Sequence, residues 1–229
     1  MRILKLLTGL FFILLTSLAM GMASGINPLA IAPVLVALAF IPKPAGVLAF
    51  NFADMLWQDG EKNMGGVKTI GYYALAADID EWPTLPAEPA TAAQEVTYDG
   101  NFRMKSGKSW HKIYSTMETA FIHDEPQGEP DGQSFVNRGK IFYPGTKVEA
   151  LAFAKNANNS NMVFILDEAS GGNRRVIGNQ GFPAKVTPDI NTGEATADRK
   201  GMNLDIWSYS DSPALLYEGV IELESETIS

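Results

Sequence analysis

The chain of 229 residues contains no cysteine and only two histidines. Without cysteine it forms no disulfides, no thiolate metal sites and no thiol nucleophile. Two histidines also exclude a three-histidine metal site within one chain. Basic residues are scarce as well, since 18 Lys and Arg stand against 26 Asp and Glu, a net charge of −8. Affinity for nucleic acid comes mainly from Lys and Arg neutralising phosphates, so this balance argues against a phosphate-gripping surface.

The charge is distributed unevenly along the chain. Residues 1–63 hold four basic and three acidic side chains, which leaves 14 basic and 23 acidic ones in residues 64–229, a net charge of −9. The length and apolar share suffice for one large domain, or for one domain plus an extension. The two parts therefore differ in character and are considered separately.

The N-terminal part is apolar. Residues 1–24 begin with Arg2 and Lys5, continue through Leu and Phe, and end in small residues. This order is typical of a secretory signal sequence or a first membrane helix. Residues 25–63 are predicted to be an apolar, helical arm followed by a polar linker; the run Ile26 to Ile41 is 16 residues long, short of the ~20 that cross a bilayer.

Such an arm is expected to enter a membrane, through residues 1–56, or another protein surface. The alternative is an ordinary signal peptide followed by buried hydrophobic helices. Met64-Gly65-Gly66 also resembles a fresh start, so an internal initiation site, or a fusion of two units, is a further interpretation.

In residues 64–229, apolar and polar residues alternate over short stretches separated by turn residues, which is typical of short β-strands. The pattern predicts nine to eleven strands and one short flanking helix, a mainly β fold of the β-sandwich or rolled-barrel type. The continuous apolar run Met162–Leu166 is expected to be buried on both faces. The predicted strands outside the central stretch are Val67–Leu75, Glu95–Thr97, Phe102–Lys105, Met162–Leu166, Arg174–Ile177, Lys185–Thr187, Asn203–Ser210 and Leu215–Leu223. In Asn203–Ser210, alternation places Leu204, Ile206 and Ser208 on one face and Asp205, Trp207 and Tyr209 on the other.

The central stretch from Ser109 to Phe153 is predicted to be a long β-hairpin followed by a helix. The alternation of apolar and polar residues stops after Phe121 and resumes at Phe135. Between the strands lies an acidic turn region punctuated by proline and glycine; it comprises Pro126, Gln127, Gly128, Glu129, Pro130, Asp131 and Gly132. The helix is expected to start near Thr146, which forms a capping box with Glu149.

Candidate groups for chemistry are few. On one straight strand, His111 and His123 would lie roughly 40 Å apart, which argues against a shared metal or a catalytic pair. The carboxylates of Asp124, Glu125, Glu129 and Asp131 suit a hard cation such as calcium. Their spacing lacks the pattern of a calcium loop, however, and a solvated acidic turn is the favoured interpretation.

Three other motifs have structural interpretations. Gly171-Gly172-Asn173-Arg174-Arg175 lacks the Lys-Ser/Thr of a phosphate loop and precedes a strand, which favours a hairpin turn. Asn158-Asn159-Ser160 matches a glycosylation acceptor, which matters only in a host that glycosylates. Trp82, Trp110 and Trp207 would suit a sugar platform, but core or interface positions are favoured. The sequence predicts no enzyme, and no catalytic, cofactor or metal residues.

Residues 66–222 resemble the tail tube-like structural proteins of tailed bacteriophages and prophages. The resemblance is carried mainly by QGEPDGQSF, KIFYPG and TADRKG, where strands end in particular turns. It implies a β-sandwich with a flanking helix that assembles into rings, commonly hexameric, which stack into a tube for DNA. Its partners would be further copies of itself and other virion proteins. The hairpin around residues 126–132 would be an arm for ring-to-ring contacts.

An acidic subunit suits such a conduit, because DNA must slide without sticking. The N-terminal part departs from a tail tube protein, and INPLAIAPVLVALAFIPKPAGVLAF is similar instead to the apolar leaders of certain phage capsid-type proteins. The first hypothesis is therefore a virion protein that self-assembles through residues 64–229. The rival is a secreted or membrane-tethered bacterial β domain that binds a ligand such as a glycan, with the arm as its anchor.

Overall fold

A computed structural model describes residues 52–224 of the chain. The segment predicted for residues 1–24, and the part of the arm before residue 52, lie outside the described residues. Within the described part, ten strands form three antiparallel sheets, accompanied by two α-helices. The predicted mainly β fold is confirmed. No helix between residues 52 and 224 has the length and apolar character needed to cross a bilayer.

Two four-stranded sheets make up most of the domain. The first has the order β4 (His111–Tyr114), β1 (Val67–Leu75), β7 (Met162–Glu168), β8 (Arg174–Ile177). The second has the order β5 (Phe121–Gln127), β6 (Ser134–Pro144), β10 (Gly201–Ser210), β9 (Lys185–Asn191). A small ribbon pairs β2 (Ile79–Glu81) with β3 (Arg103–Met104). The helices are α1 (Ala92–Val96) and α2 (Val148–Ala157), and Ala76–Asp78 form a 3-10 turn.

Strand β7 is the centre of the domain, because both of its faces are buried. Phe164 and Leu166 pack into the core between the two sheets. Val163 and Ile165 pack on the other side, under a layer built from residues 76–110 and 217–221. The first sheet is therefore a middle layer, and the prediction that Met162–Leu166 is buried on both faces is confirmed.

The second sheet closes the first core. The alternation predicted for β10 is confirmed, since Leu204, Ile206 and Ser208 are buried. The two sheets also meet at one corner, where Met162 and Ala184 exchange backbone hydrogen bonds of 2.9 and 2.8 Å. The sandwich is thus rolled at this corner.

The predicted hairpin exists, but its first strand is shorter than expected. β5 and β6 pair with Gln127 opposite Ser134. Residues 111–114 form β4 instead, which pairs with β1 in the other sheet. The chain changes sheet through a turn in which the Thr119 hydroxyl donates to the Thr116 carbonyl at 2.6 Å and Glu118 has φ 62°. The prediction of one long strand is wrong. The alternation of apolar and polar residues is the same whether the chain stays in one sheet or crosses to another, so it could not reveal this crossover.

Two other predicted strands are wrong. Most of Glu95–Thr97 belongs to α1, where the Thr91 hydroxyl accepts a hydrogen bond from the Gln94 amide at 3.3 Å. β3 therefore pairs with β2 rather than with residues 95–97. The stretch Leu215–Leu223 makes only isolated bridges, through Leu216 and Leu223. In both places a local cap or a single contact outweighs strand propensity.

The predicted helix is confirmed as α2, but its capping box is wrong. α2 starts at Val148, so Lys147 is the N-cap residue and makes no side-chain capping bond. Thr146 lies one position too early for a cap.

All buried residues in the described part lie between Gly71 and Tyr217, so both cores are contained within residues 64–224.

Candidate functional site

The outer face of the second sheet points away from both cores. The strand register places His123, Arg138, Trp207 and Lys185 in one row across the four strands. Charges on this face are balanced, since Arg138 Nε lies 3.1 Å from Glu125 Oε2 and Lys140 stands opposite Asp205. Two of the basic residues on this face thus have acidic neighbours.

Three aromatic rings on this face form a strip, which consists of Phe182, Trp207 and Tyr209. The ring centroids of Trp207 and Tyr209 are 5.4 Å apart and those of Tyr209 and Phe182 are 6.4 Å apart, both edge to face. Phe182 is 58% exposed and Tyr209 is 43% exposed. Neighbouring aromatic rings of this face are thus open to solvent.

The strip is held firmly although two of its rings face solvent. The loop that carries Phe182 is fixed because the Phe182 amide donates to Asn179 Oδ1 at 2.7 Å. The buried Ser208 hydroxyl donates to the Phe182 carbonyl at 2.6 Å. Alternation in β10 predicted that Trp207 and Tyr209 share one face of the strand, but sequence reasoning missed Phe182, which comes from a loop.

The predicted assembly residues form the tip of the hairpin. Pro126 and Gln127 are the last residues of β5, and the residues from Gly128 to Gly132 form an exposed loop. The turn depends on Gly128, which has φ 104° and whose added Cβ would lie 2.7 Å from the Gly132 carbonyl oxygen. In the described part of the chain, neither Glu129 nor Asp131 makes an ion pair. The tip is thus a shaped, acidic projection.

The four carboxylates considered for calcium do not converge. Asp124 points inward and pairs with Arg175, whereas Glu125 points outward and pairs with Arg138. Only Glu129 and Asp131 remain together at the tip. The described residues contain no group of three or more side chains of metal-ligating type that could hold an ion.

Asp124 and Arg175 belong to a polar junction between the two sheets. One carboxylate oxygen of Asp124 accepts the Arg175 guanidinium. The other accepts the Ala214 amide at 3.0 Å and, in the side-chain orientation that satisfies its neighbours, the Asn137 amide at 3.1 Å. Arg175 also lies 3.1 Å from Glu168 and donates to the Ala214 carbonyl at 2.6 Å. Each of these charged groups is hydrogen-bonded or ion-paired within the domain, so the junction holds the two sheets together.

The other sequence candidates are dispersed. His111 lies in the first sheet, its ring centroid 5.3 Å from that of Tyr73, whereas His123 lies in the second sheet. Trp82 and Trp110 pack around Phe102 in the second core, with centroid distances of 5.6 and 5.3 Å. Because Trp207 lies on the opposite side of the domain, the three tryptophans form no shared sugar platform.

Two further sequence motifs lie in a turn and at a helix end. Residues 171 and 172 form the β7–β8 turn with φ of 79° and 75°, which confirms the hairpin turn predicted for Gly171–Arg175. Asn158 ends α2 as its C-cap residue and is exposed.

A groove runs between α2 and the first sheet. Its main cavity has a volume of about 590 Å³. The apolar lining includes Tyr73, Leu75, Ala152, Phe153 and Met162. A neighbouring cavity of about 180 Å³ shares Tyr73 and Phe153 and extends the groove along α2. Burial raises the pKa of the Tyr73 hydroxyl, as expected for a phenol held in an apolar wall.

Comparison with protein-family models, with curated proteins and with solved structures finds no match for this chain.

Proposed function

We propose that residues 64–229 form a virion structural subunit of the tail tube type, which self-assembles into rings that stack into a tube for DNA passage. The observation that supports this proposal best is the exposed aromatic strip of Phe182, Trp207 and Tyr209. Residues 1–56 would supply membrane contact before or during assembly. No step of this function requires catalysis.

The strip has the composition of an interface centre. Trp, Tyr and Arg dominate the residues that contribute most to protein association. Here Trp207 has Arg138 beside it on β6 and Tyr209 two residues further along β10. Aromatic side chains bury roughly 150–250 Å² each when covered. Three such rings, placed on a rigid sheet, would form the centre of a lateral contact between neighbouring subunits of a ring.

The charge of the domain supports a conduit for DNA. Residues 64–229 carry a net charge of −9. On the outer face of the second sheet, Arg138 is paired with Glu125, and Lys140 stands opposite Asp205. Phosphates would therefore find few free cations there, and DNA would pass without being held.

Negative-stain electron microscopy of residues 64–229 at low and high concentration tests the proposal. This piece contains both cores, so we expect it to fold and to form rings of uniform width at high concentration. Phe182→Ser combined with Tyr209→Ser should abolish the rings. Val220→Ser, which changes an apolar side chain that is 67% exposed elsewhere, is the matched control. Single monodisperse particles at every concentration would overturn the proposal and favour the tethered ligand-binding domain.

A further inference from the structure

A polar linker, residues 58–63, precedes the domain. Every residue from 52 to 63 is exposed, and none of them lies in a helix or strand. Within the linker there is one backbone hydrogen bond, in which the Glu61 amide donates to the Gln58 carbonyl at 3.2 Å. A protease binds backbone that is free of such bonds, so regular structure must open before it is cut. The linker is therefore accessible to a protease without any opening of the domain.

The apolar character of the chain ends at the start of the linker. Met55, Leu56 and Trp57 are 98%, 85% and 62% exposed, and large apolar side chains at such positions are unfavourable in water. The linker that follows has no apolar side chain; its residues are Gln58, Asp59, Gly60, Glu61, Lys62 and Asn63. A cut within the linker would leave these three apolar side chains on the N-terminal product and a polar end on the domain.

The contacts of the domain begin directly after the linker. The Met64 amide donates to Ser170 Oγ at 3.0 Å, and the same hydroxyl donates to the Met64 carbonyl at 3.1 Å. The Ala169 amide donates to the Gly66 carbonyl at 3.0 Å. In the described part of the chain, no buried residue precedes Gly71. A cut before Met64 thus removes none of the described core residues.

Lys62 differs from the other basic residues of the described part. Nine of those lie in strands or in α2, and five lie outside such elements, namely Lys105, Lys108, Lys147, Arg199 and Lys200. Four of these five have a backbone hydrogen bond, and Arg199 places its guanidinium over the ring of Phe142, 4.8 Å from the centroid. For Lys62, residues 52–224 supply neither a backbone hydrogen bond nor an ion pair. Lys62 is therefore the basic residue that a protease reaches most easily.

We propose that the linker is a processing site, at which an endopeptidase that prefers a basic residue cuts the chain between Lys62 and Asn63. Water is the second reactant. The peptide C–N bond breaks, the hydroxyl of water goes to the Lys62 carbonyl carbon, and its proton goes to the Asn63 nitrogen. The product is a domain of residues 63–229, released from the apolar N-terminal part. Such release would serve a ligand-binding domain as well as an assembling one, so the site is independent of the proposed function.

The new amino terminus would form beside a polar cavity of the domain. Asn63 lines this cavity, which has a volume of about 270 Å³. The charged side chains in its lining are those of Asp124, Glu168 and Arg175, which together carry one net negative charge. An α-ammonium group on Asn63 would therefore meet a surface of opposite charge, which favours retention of the new end on the domain.

Mass spectrometry of the chain isolated from the cells that produce it tests the inference. We expect a domain that begins at Asn63. Lys62→Gln should lower the amount of this product at least about tenfold, because the side chain that selects the bond is lost. Arg199→Gln removes the basic side chain of another exposed loop; it is the matched control and should leave the product unchanged. A chain in which residues 58–63 remain intact would overturn the inference.

Limited digestion of the purified full chain with trypsin, in detergent, provides a second measurement. Within residues 52–224, we expect the first cut after Lys62 and the persistence of residues 63–229. Lys62→Gln should slow the first cut on the order of a hundredfold, since the next site must wait for local opening of the domain. A first cut after Arg199 or Lys200 in the natural chain would overturn the inference.

Three results distinguish the processing site from the proposed assembly. Rings of residues 64–229 together with an uncut native chain would overturn the processing site and leave the assembly intact. A native chain cut after Lys62, whose domain remains as single particles, would overturn the assembly and support the processing site. A native product that begins at Gln58 would show that the cut follows the apolar stretch, and it would overturn the assignment to Lys62.

Discussion

Asp124 of β5 and Arg175 of β8 form an ion pair that joins the two sheets of the sandwich. Their side chains are 15% and 21% exposed, so both charges are largely removed from water. The same Asp124 carboxylate also accepts the Ala214 amide, which fixes the segment that follows β10. This one carboxylate therefore connects both sheets and the C-terminal layer.

Asp124→Asn should destabilise the domain by about 1–3 kcal/mol, because the largely buried Arg175 loses a charged hydrogen-bond partner and keeps only Glu168 as an ionic one. Urea unfolding followed by tryptophan fluorescence measures the free energy of unfolding. Glu125→Gln is the matched control, since the Glu125–Arg138 pair is about half exposed on the neighbouring position of the same strand. Its cost should stay under ~1 kcal/mol. An equal loss of unfolding free energy in the two variants would contradict the role of Asp124 in holding the sheets together.

Gly139→Ala should destabilise the domain by about 1–3 kcal/mol, because the sheets approach too closely at this position for a side chain. An added Cβ would lie 2.7 Å from Ile177 Cδ1 and 3.4 Å from Leu166 Cδ1. Ile177→Val removes the nearer atom and should recover part of the loss. A double-mutant cycle measures this coupling, and strict additivity of the two changes would contradict the close approach.

The stability of the domain should fall as pH rises from about 10 to about 12. Burial, and secondarily the charge of Asp211, raise the pKa of Tyr98 from 10.0 to about 12. The unfolded chain loses this proton near pH 10.0 while the folded chain retains it, so the stabilisation is complete below that pH and declines above it. Tyr98→Phe should reduce the loss at about pH 11 by about 1 kcal/mol. Some dependence remains, since burial also raises the pKa of Tyr73 and Tyr217.

Shortening the hairpin should prevent stacking of rings without unfolding the domain. Gln127 and Ser134 are paired, so residues 128–133 can be replaced by the two-residue turn Asn-Gly. Electron microscopy of the full chain should then show rings but no tubes. The control keeps the length and removes only charge, through Glu129→Gln and Asp131→Asn. Tubes of normal length from the shortened variant would show that the tip takes no part in assembly.

Lys147→Ser should stabilise α2 by about 1 kcal/mol, because the N-cap position currently makes no side-chain hydrogen bond. A serine hydroxyl there would accept one of the free amides of the first turn. Thermal unfolding of the variant and of Thr146→Ser compares the two positions. A larger gain at Thr146 would contradict the observed start of the helix at Val148.

Alternation and composition predicted the elements that depend on local pattern. The strands Val67–Leu75 and Arg174–Ile177 have the predicted bounds, and the two faces of β10 agree with the structure. The burial of β7 on both faces followed from an uninterrupted apolar run. Such features are visible in sequence because each residue's environment repeats with the period of the strand.

The sequence by itself determined that the chain has a mainly β domain with Trp207 and Tyr209 on the same face of one strand, an acidic hairpin tip, and no thiol chemistry. Only the tertiary structure decided which strands share a sheet, because pairing depends on contacts between residues distant in the chain. The crossover between β4 and β5, the meeting of Asp124 with Arg175, and the placement of Phe182 beside Tyr209 all arise in this way.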